Sequence, residues 1–285
     1  MRSSNRRMGS SWLWLAAVVA VCGAGNVAAA QDGSVMPAGE GAVVPAQGYS
    51  LVNAQRPLTL DQGRLRIDAS LGFVKVCFSA GTLSACTEVF VGLAAGASYG
   101  ITDDLEVGAM VLPLTLSPEV KYGNPSVYGQ YRMVGGDVEV AARAEVWLPV
   151  EGDFRLQVGA PIWWKASPSV ALRTGAFLMF VASDPNQMVV SIPVALVVNA
   201  TDNFWLGIST GLSFAVSDPG PGDTLTVPLG LELGYAVADS GGAPLVDLVG
   251  SWQFTSFIAG GGGDTISASS WVASLGARIY LDTAQ

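Results

Sequence analysis

Charged side chains in this sequence stand singly or in close pairs within stretches that are otherwise apolar. Arg143 and Glu145 lie two residues apart, and Arg66 and Asp68 have the same spacing. In an extended chain, residues two apart point to the same side, so opposite charges at this spacing can pair. A polar interior with arginines opposite acids would set a transverse field for a permeating solute. The same residues would equally form an ion-pair ladder that fills a closed interior, and both interpretations stay open.

Residues suited to enzymatic chemistry are scarce. The sequence contains no histidine, which is the commonest general base of hydrolases and the commonest metal ligand. Glu139 and Glu145 lie six residues apart on one strand face, too far for a carboxylate dyad, and an ion pair with Arg143 is the simpler role. The acidic loops 218–223 and 260–264 do not match the EF-hand ligand pattern. We therefore predict no catalytic residues, no metal site and no cofactor.

The elements that would position these charges are long amphipathic strands. From Leu225 to Val237, large apolar residues alternate with small or polar ones, and a period of two is typical of a strand with one apolar face. The stretch is about twice the usual length of a soluble strand and close to a membrane-crossing strand of ~9–11 residues. Half of the residues are hydrophobic and only 13% are charged. The apolar residues alternate along the chain and do not form one continuous run. This pattern predicts strands whose apolar side chains face lipid.

Turn residues divide the rest of the chain into similar strands. The predicted strands are 65–76, 88–101, 105–116, 126–134, 138–150, 154–165, 169–182, 188–199, 204–216, 225–237, 244–257 and 270–281. An even number is typical of bacterial single-chain barrels and places both termini on the periplasmic side. The sequence therefore predicts an all-β fold, a transmembrane antiparallel up-and-down β-barrel of about 12 strands over residues 64–285.

The positions of the aromatic residues separate this barrel from a soluble β-sandwich, which also alternates. Outward aromatics of a membrane barrel gather at the two interfaces, whereas a sandwich core would hold them at mid-strand. One predicted rim has Phe73, Phe154, Phe180, Phe214, Phe254 and Trp271, and the other has Tyr99, Tyr131, Trp164 and Tyr235. This distribution favours the membrane barrel.

Nearly all strand charges fall on the inward face of the predicted barrel, because an arginine facing mid-bilayer lipid would cost roughly 2–4 kcal/mol. The predicted lumen-lining residues are Arg66, Asp68, Arg132, Glu139, Arg143, Glu145, Arg155, Arg173, Glu232, Asp247 and Arg278, with Glu106 among them. Four of these are placed near mid-depth: Arg143, Glu145, Arg173 and Glu232. Inward aromatics would narrow the lumen or line an apolar path: Trp147, Trp163, Phe177 and Trp205.

The N-terminal residues divide into two segments. Residues 1–30 have the basic start, short apolar core and Ala28–Ala30 cleavage site of a secretory signal peptide. Its removal takes away three of the 14 basic residues and none of the 23 acidic ones, so the formal charge falls from −9 to −12. That charge argues against a nucleic-acid partner. Residues 31–63 show no sustained period and are predicted to be a flexible periplasmic segment; a plug folded into the lumen is the alternative, which the composition does not favour.

Two cysteines remain in the exported chain, Cys77 and Cys86. They flank a predicted hairpin loop between the first two strands. An even number of cysteines in an exported protein favours a disulfide, and the spacing is not the CxxC of redox enzymes. We therefore predict a structural Cys77–Cys86 disulfide.

Two segments resemble known outer-membrane proteins. Residues 274–281 resemble the C-terminal signal that the barrel-assembly machinery reads, although four further residues follow it. Residues 97–108 resemble a hairpin of small porin-like barrels, including the family of transporters of the meta-pathway of phenol degradation. The resemblance covers roughly residues 64–281, and it implies the outer membrane of a Gram-negative bacterium, with outer-membrane lipid and the assembly machinery as partners.

The function predicted from these features is a narrow channel or passive transporter for a small solute. The alternative is a closed structural or surface-interaction barrel that transports nothing. The two differ in whether water and solute pass the charges near mid-depth.

Overall fold

The computed structural model describes residues 49–80, 83–183, 185–216, 225–259, 265–266 and 269–283. Its strands are β1 (Arg64–Lys75), β2 (Cys77–Ala80), β3 (Leu83–Cys86), β4 (Phe90–Thr102), β5 (Leu105–Met110), β6 (Leu114–Ser117), β7 (Lys121–Tyr122), β8 (Ser126–Val134), β9 (Val138–Trp147), β10 (Arg155–Ser167), β11 (Val170–Val181), β12 (Gln187–Asn199), β13 (Phe204–Ala215), β14 (Thr226–Ala238), β15 (Pro244–Ala259), β16 (Thr265–Ile266) and β17 (Trp271–Asp282). A short 3-10 turn spans Asn53–Gln55. The predicted signal peptide and the acidic loops 218–223 and 260–264 lie outside the described residues.

Twelve antiparallel strands form a closed wall: β1, β4, β5, β8 to β15, and β17. Each strand pairs with its neighbours in chain order, and β1 closes the sheet by pairing with both β17 and β4. The predicted twelve-stranded barrel is therefore confirmed, and a two-sheet sandwich is excluded. We call the end where Arg64 pairs with Asp282 the terminal end, and the end where Lys75 pairs with Trp271 the distal end.

Most strands begin and end within two residues of their predicted bounds. The third strand differs, because the wall is interrupted at Val111–Pro113 between β5 and β6. The Ala95 carbonyl accepts hydrogen bonds from the amides of both Val111 and Leu112, which is the two-against-one pairing of a β-bulge, and Pro113 has no N–H to continue the ladder. The fifth strand ends three residues early, at Trp147, because the Asn124 side chain accepts from the amides of Val150 and Glu151.

The two faces of the wall differ sharply in polarity. On β14, the outward Leu231, Leu233 and Tyr235 are 60%, 52% and 49% exposed, whereas the inward Glu232 is 8% exposed. A band of exposed large apolar side chains around the outside and a polar inside is the reverse of a soluble protein. This arrangement suits a barrel whose outer surface meets lipid. No helix among the described residues is long and apolar enough to cross a membrane.

A small hairpin extends β1 and β4 beyond the distal end. It consists of β2 and β3, whose ends are joined by a disulfide between Cys77 and Cys86. The Ser270 hydroxyl accepts a hydrogen bond from the Cys77 amide at 2.8 Å. The hairpin is thereby attached to the segment that leads into β17.

Candidate functional site

The interior of the barrel gathers the charged side chains. The predicted lumen residues stand on the inward positions of their strands, and most are nearly buried, with Arg66, Arg173, Glu139 and Asp247 between 0% and 6% exposed. Two inward-facing bases were not singled out from the sequence, Arg64 and Lys165, which are 5% and 7% exposed. Lys165 lies an even number of residues after Arg155 on β10 and so points to the same side. The alternation of the strand could therefore have identified Lys165 as an inward residue.

Two ion pairs occupy the middle of the barrel. Arg143 donates to Glu145 on the same strand, with an Nη2–Oε2 distance of 2.8 Å, and its guanidinium stacks over the Tyr128 ring at 3.9 Å. Across the lumen, Arg173 Nη2 lies 3.4 Å from Glu232 Oε1, bridging β11 and β14. The four residues predicted near mid-depth are thus brought together as two opposite-charge couples on separate parts of the wall.

Further pairs lie nearer the terminal end. Arg66 contacts Asp68 at 3.0 Å and Glu106 at 3.7 Å. Glu139 contacts Lys165 at 2.7 Å and Arg132 at 3.8 Å. The ion pair with Arg143 that the sequence predicts for Glu139 is therefore wrong. The physical reason is that Lys165 and Glu139 lie on adjacent strands close to the same end of the barrel, whereas Arg143 is held by Glu145.

A segment of the chain that precedes the barrel crosses the terminal mouth. We call residues 49–63 the mouth segment. Asn53, Ala54, Arg56, Leu58 and Leu60 are each 0% exposed, so the segment is enclosed by the wall. Residues 49–63 are therefore not the flexible segment that the sequence predicts for 31–63. They lie inside the terminal mouth, as the plug alternative expects. Residues 31–48 lie outside the described residues.

Arg56 is the main electrostatic anchor of the mouth segment. Its guanidinium forms a two-pronged pair with Asp247, through Nη1 to Oδ2 and through Nη2 to Oδ1 at 2.8 Å. Tyr280 joins both groups, because its hydroxyl accepts from Arg56 at 3.1 Å and donates to Asp247 at 2.7 Å. The pair is fully buried, with both side chains 0% exposed. Bidentate arginine–carboxylate pairs are among the strongest hydrogen-bonded contacts in proteins.

Two other lumen acids bind the backbone of the mouth segment. Glu139 accepts from the Leu58 amide and Glu106 accepts from the Leu60 amide, both at 2.8 Å. The Gln130 side chain donates to the Leu58 carbonyl. Backbone groups buried away from water must find such partners, and here the side chains of the wall supply them.

The remaining contacts reach across the mouth. The Asn199 side chain accepts from the Ala54 amide, the Gln55 side chain donates to the Ser167 carbonyl, and the Thr59 hydroxyl donates to the Asp103 carbonyl. Ala54 and Leu58 join a buried apolar cluster with Trp163 and Trp205. The mouth segment therefore contacts turns and strands on several sides of the terminal end and closes it.

The distal half of the lumen has a different character. On β12, the inward Ala195, Val197 and Asn199 are buried, whereas the inward Val189 and Ser191, nearer the distal end, are partly exposed. Other inward positions near the distal end carry uncharged residues, including Ser213 and Thr226. Among the described lumen residues, Arg155 is the charged exception at this end, beyond the pair of Arg143 and Glu145 in the middle. Other inward side chains near this end are buried, with Trp147, Val181 and Val272 only 2–3% exposed, and Val272 packs with Val74 and Val76 in an apolar cluster. The distal half therefore carries mostly uncharged side chains, some buried and some partly exposed.

The sequence offered little to identify the mouth segment. Its contacts join residues far apart in the chain, such as Arg56 and Asp247, and its turn interrupts any period. One signal was present: Arg56 is the single basic residue between positions 31 and 63. Among the described residues, no group of three or more His, Cys, Asp or Glu is placed to hold a metal ion.

Solved structures with a similar fold include a NanC porin and a COG4313 outer membrane channel from Pseudomonas putida F1. The NanC porin aligns with a TM-score of 0.54 and 11% identity, over 75% of this chain and 100% of that chain. The Pseudomonas channel aligns with a TM-score of 0.54 and 10% identity, over 84% of this chain and 100% of that chain. No protein-family model and no curated protein matches the sequence. At this level of identity the likeness is one of fold, and the chain has the closed β-barrel fold of porins and outer-membrane channels.

Proposed function

We propose that the protein is an outer-membrane channel for a small solute, with a terminal mouth that its own mouth segment closes at rest. The observation that carries the proposal is the inner face of the closed twelve-stranded wall, where opposite charges are gathered in pairs along the barrel. Pairs such as Arg143–Glu145 and Arg173–Glu232 would line the narrow part of the path. A transverse field between opposite charges favours small polar solutes that can align with it.

The proposal includes the location and the route of biogenesis. The exposed apolar band fits lipid, residues 1–30 would direct export, and the C-terminal segment would be read by the barrel-assembly machinery. With both termini in the periplasm, the mouth segment would face the periplasm and the distal end would face the outside. The solute would then enter at the distal end and meet an inner mouth that the segment closes.

A closed structural or surface-interaction barrel is the second candidate. The fully buried Arg56–Asp247 pair favours it, because a permanently seated segment would leave no path for solute. The distal hairpin held by Cys77–Cys86 would then serve as a surface feature. Passage of ions separates the two candidates.

Ion conductance of the refolded full-length protein in a planar bilayer tests the proposal. We expect discrete steps, and we expect neutralisation by Arg143→Gln or Arg173→Gln to shift the reversal potential in a salt gradient toward cation preference, because each change removes a positive charge from the path. Lys121→Gln is the matched control, since that lysine lies on β7, is one-third exposed and pairs with Glu119. Steps that none of the three substitutions alters would place the conducting path elsewhere.

A further inference from the structure

The terminal mouth holds the mouth segment as a receptor holds a peptide ligand. The five residues from Arg56 to Leu60 are all buried, and Arg56, Leu58 and Leu60 are each 0% exposed. Side chains of the wall also form hydrogen bonds with the backbone of this segment. Glu139 and Glu106 accept from the amides of Leu58 and Leu60, and Gln130 donates to the Leu58 carbonyl. Main-chain hydrogen bonds give a bound peptide affinity, and side-chain pockets give it specificity.

The side-chain pockets add specificity for a positively charged residue, here Arg56, and for an apolar residue two positions later, here Leu58. The carboxylate of Asp247 and the hydroxyl of Tyr280 form the pocket for the Arg56 guanidinium, whose carbon lies 5.5 Å from the centre of the Tyr280 ring. Leu58 fits the apolar cluster around Trp163 and Trp205. A planar guanidinium suits this two-pronged acidic pocket better than an ammonium would.

The wall acids that bind the mouth segment also have hydrogen-bond donors within the barrel wall. Glu139 keeps Lys165 at 2.7 Å, Glu106 keeps the Tyr128 hydroxyl, and Asp247 keeps the Tyr280 hydroxyl at 2.7 Å. Each acid that binds the segment therefore has a second donor from the barrel. Leaving a buried carboxylate with no partner would be costly, and these wall donors lower that cost.

The mouth segment is also not part of the strand pairing that builds the wall. It contributes no strand to the barrel, because β1 pairs directly with β17 and β4. It joins β1 through Gly63, whose φ of 77° lies in the left-handed region that favours glycine. The Gly63 amide donates to the Gly100 carbonyl and the Gly63 carbonyl accepts from the Thr283 amide, both at 2.9 Å. Residues 49–62, which precede this anchored glycine, can leave the mouth while the ladders of β1 stay intact.

We propose that the terminal mouth is a binding site for a peptide that carries an arginine, and that residues 49–63 are its built-in, exchangeable ligand. Tethering gives the segment a high effective concentration, so the site is filled at rest. A free peptide of the same sequence binds the same site whenever the tethered segment is weakened. The mouth thereby becomes a place where a periplasmic polypeptide controls the barrel, which goes beyond passage of a solute.

The test uses full-length protein in which Arg56→Asp places a negative charge against Asp247 and weakens the tethered segment. The probe is a fluorescent synthetic peptide of residues 49–63, and its binding to the refolded variant in detergent is measured by fluorescence anisotropy. We expect saturable binding, and at least tenfold weaker binding of the same peptide with Arg56→Gln. We also expect at least tenfold weaker binding of the original peptide to the full-length double variant Arg56→Asp/Asp247→Asn, which lacks the acid.

The same peptide, added in turn to each chamber of a planar bilayer, should block the conductance of the Arg56→Asp variant from one side only. Equal binding of the two peptides, or no binding to a variant that folds with the normal gel shift, would overturn the proposed site. Because anisotropy needs no current, a silent bilayer with specific peptide binding would contradict the channel function and leave the binding site standing.

Discussion

Replacing Leu231 with arginine is expected to prevent the barrel from assembling in lipid vesicles. Leu231 lies near the middle of β14, points outward and is 60% exposed between Ile208 and Trp252 of the adjacent strands. An arginine at mid-bilayer on the lipid face costs about 2–4 kcal/mol, a large share of the ~5–15 kcal/mol by which a folded protein is stable. The measurement is the heat-modifiable gel shift after refolding, which should be lost or greatly reduced.

The neighbouring residue provides the control for this prediction. Glu232 points inward, where it accepts from Trp205 Nε1 at 3.3 Å and pairs with Arg173. Glu232→Gln keeps the shape and an acceptor oxygen, so the variant should assemble with a normal gel shift. Equal assembly of the two variants would show that the inward and outward faces of β14 have been assigned incorrectly.

Replacing Asp247 with asparagine is expected to release the mouth segment from the barrel. Removing one partner of a buried ion pair costs about 3–5 kcal/mol, and each ~1.4 kcal/mol is a factor of ten. The ratio of docked to released segment should therefore fall by a factor of about 10² to 4 × 10³. Leu58→Cys reports release, because this position is 0% exposed in the docked segment and the other cysteines of the described chain form a disulfide. A water-soluble maleimide should label Cys at position 58 correspondingly faster in the Asp247→Asn background.

A steric substitution tests release without removing a charge. A Cβ at Gly100 would lie 2.1 Å from the Asp61 carbonyl oxygen, so Gly100→Ala should also displace the segment and speed labelling. Gly129→Ala is the matched control, because no heavy atom lies within 4 Å of a Cβ there. Labelling at an exposed position, through Gln62→Cys, should be fast in every background. An unchanged rate at position 58 in both the Asp247→Asn and Gly100→Ala backgrounds would mean that the segment is fixed.

The barrel could be predicted from the sequence because its signal is local and repeated. Each strand alternates apolar and small or polar residues, as Leu225–Val237 does, and each break has turn residues. The interruption at Val111–Pro113 was missed because a bulge depends on the partner strand, here Ala95, and not on the alternation of its own strand. Bounds of single strands are set by the same kind of contact, as the effect of Asn124 on the end of β9 illustrates.

The interior was predictable only in part. The alternation along each strand places Arg143 and Arg173 on the inward face. It does not identify their ion-pair partners, because those depend on the register and tilt of several strands. The mouth segment was foreseen only as the plug alternative, which the composition did not favour. Arg56 reaches Asp247 across 191 positions of sequence, and such a contact leaves no periodic trace in either stretch.

Single-channel conductance of the full-length protein and its Asp247→Asn variant, recorded under identical conditions, tests the central claim most directly. The claim is that a hollow barrel is closed at one end by residues 49–63. It predicts steps of similar size in both proteins, with the variant open for a far greater fraction of the time. Two silent proteins that both show the folded gel shift would contradict the channel, and two proteins that are open equally often would contradict closure by the mouth segment.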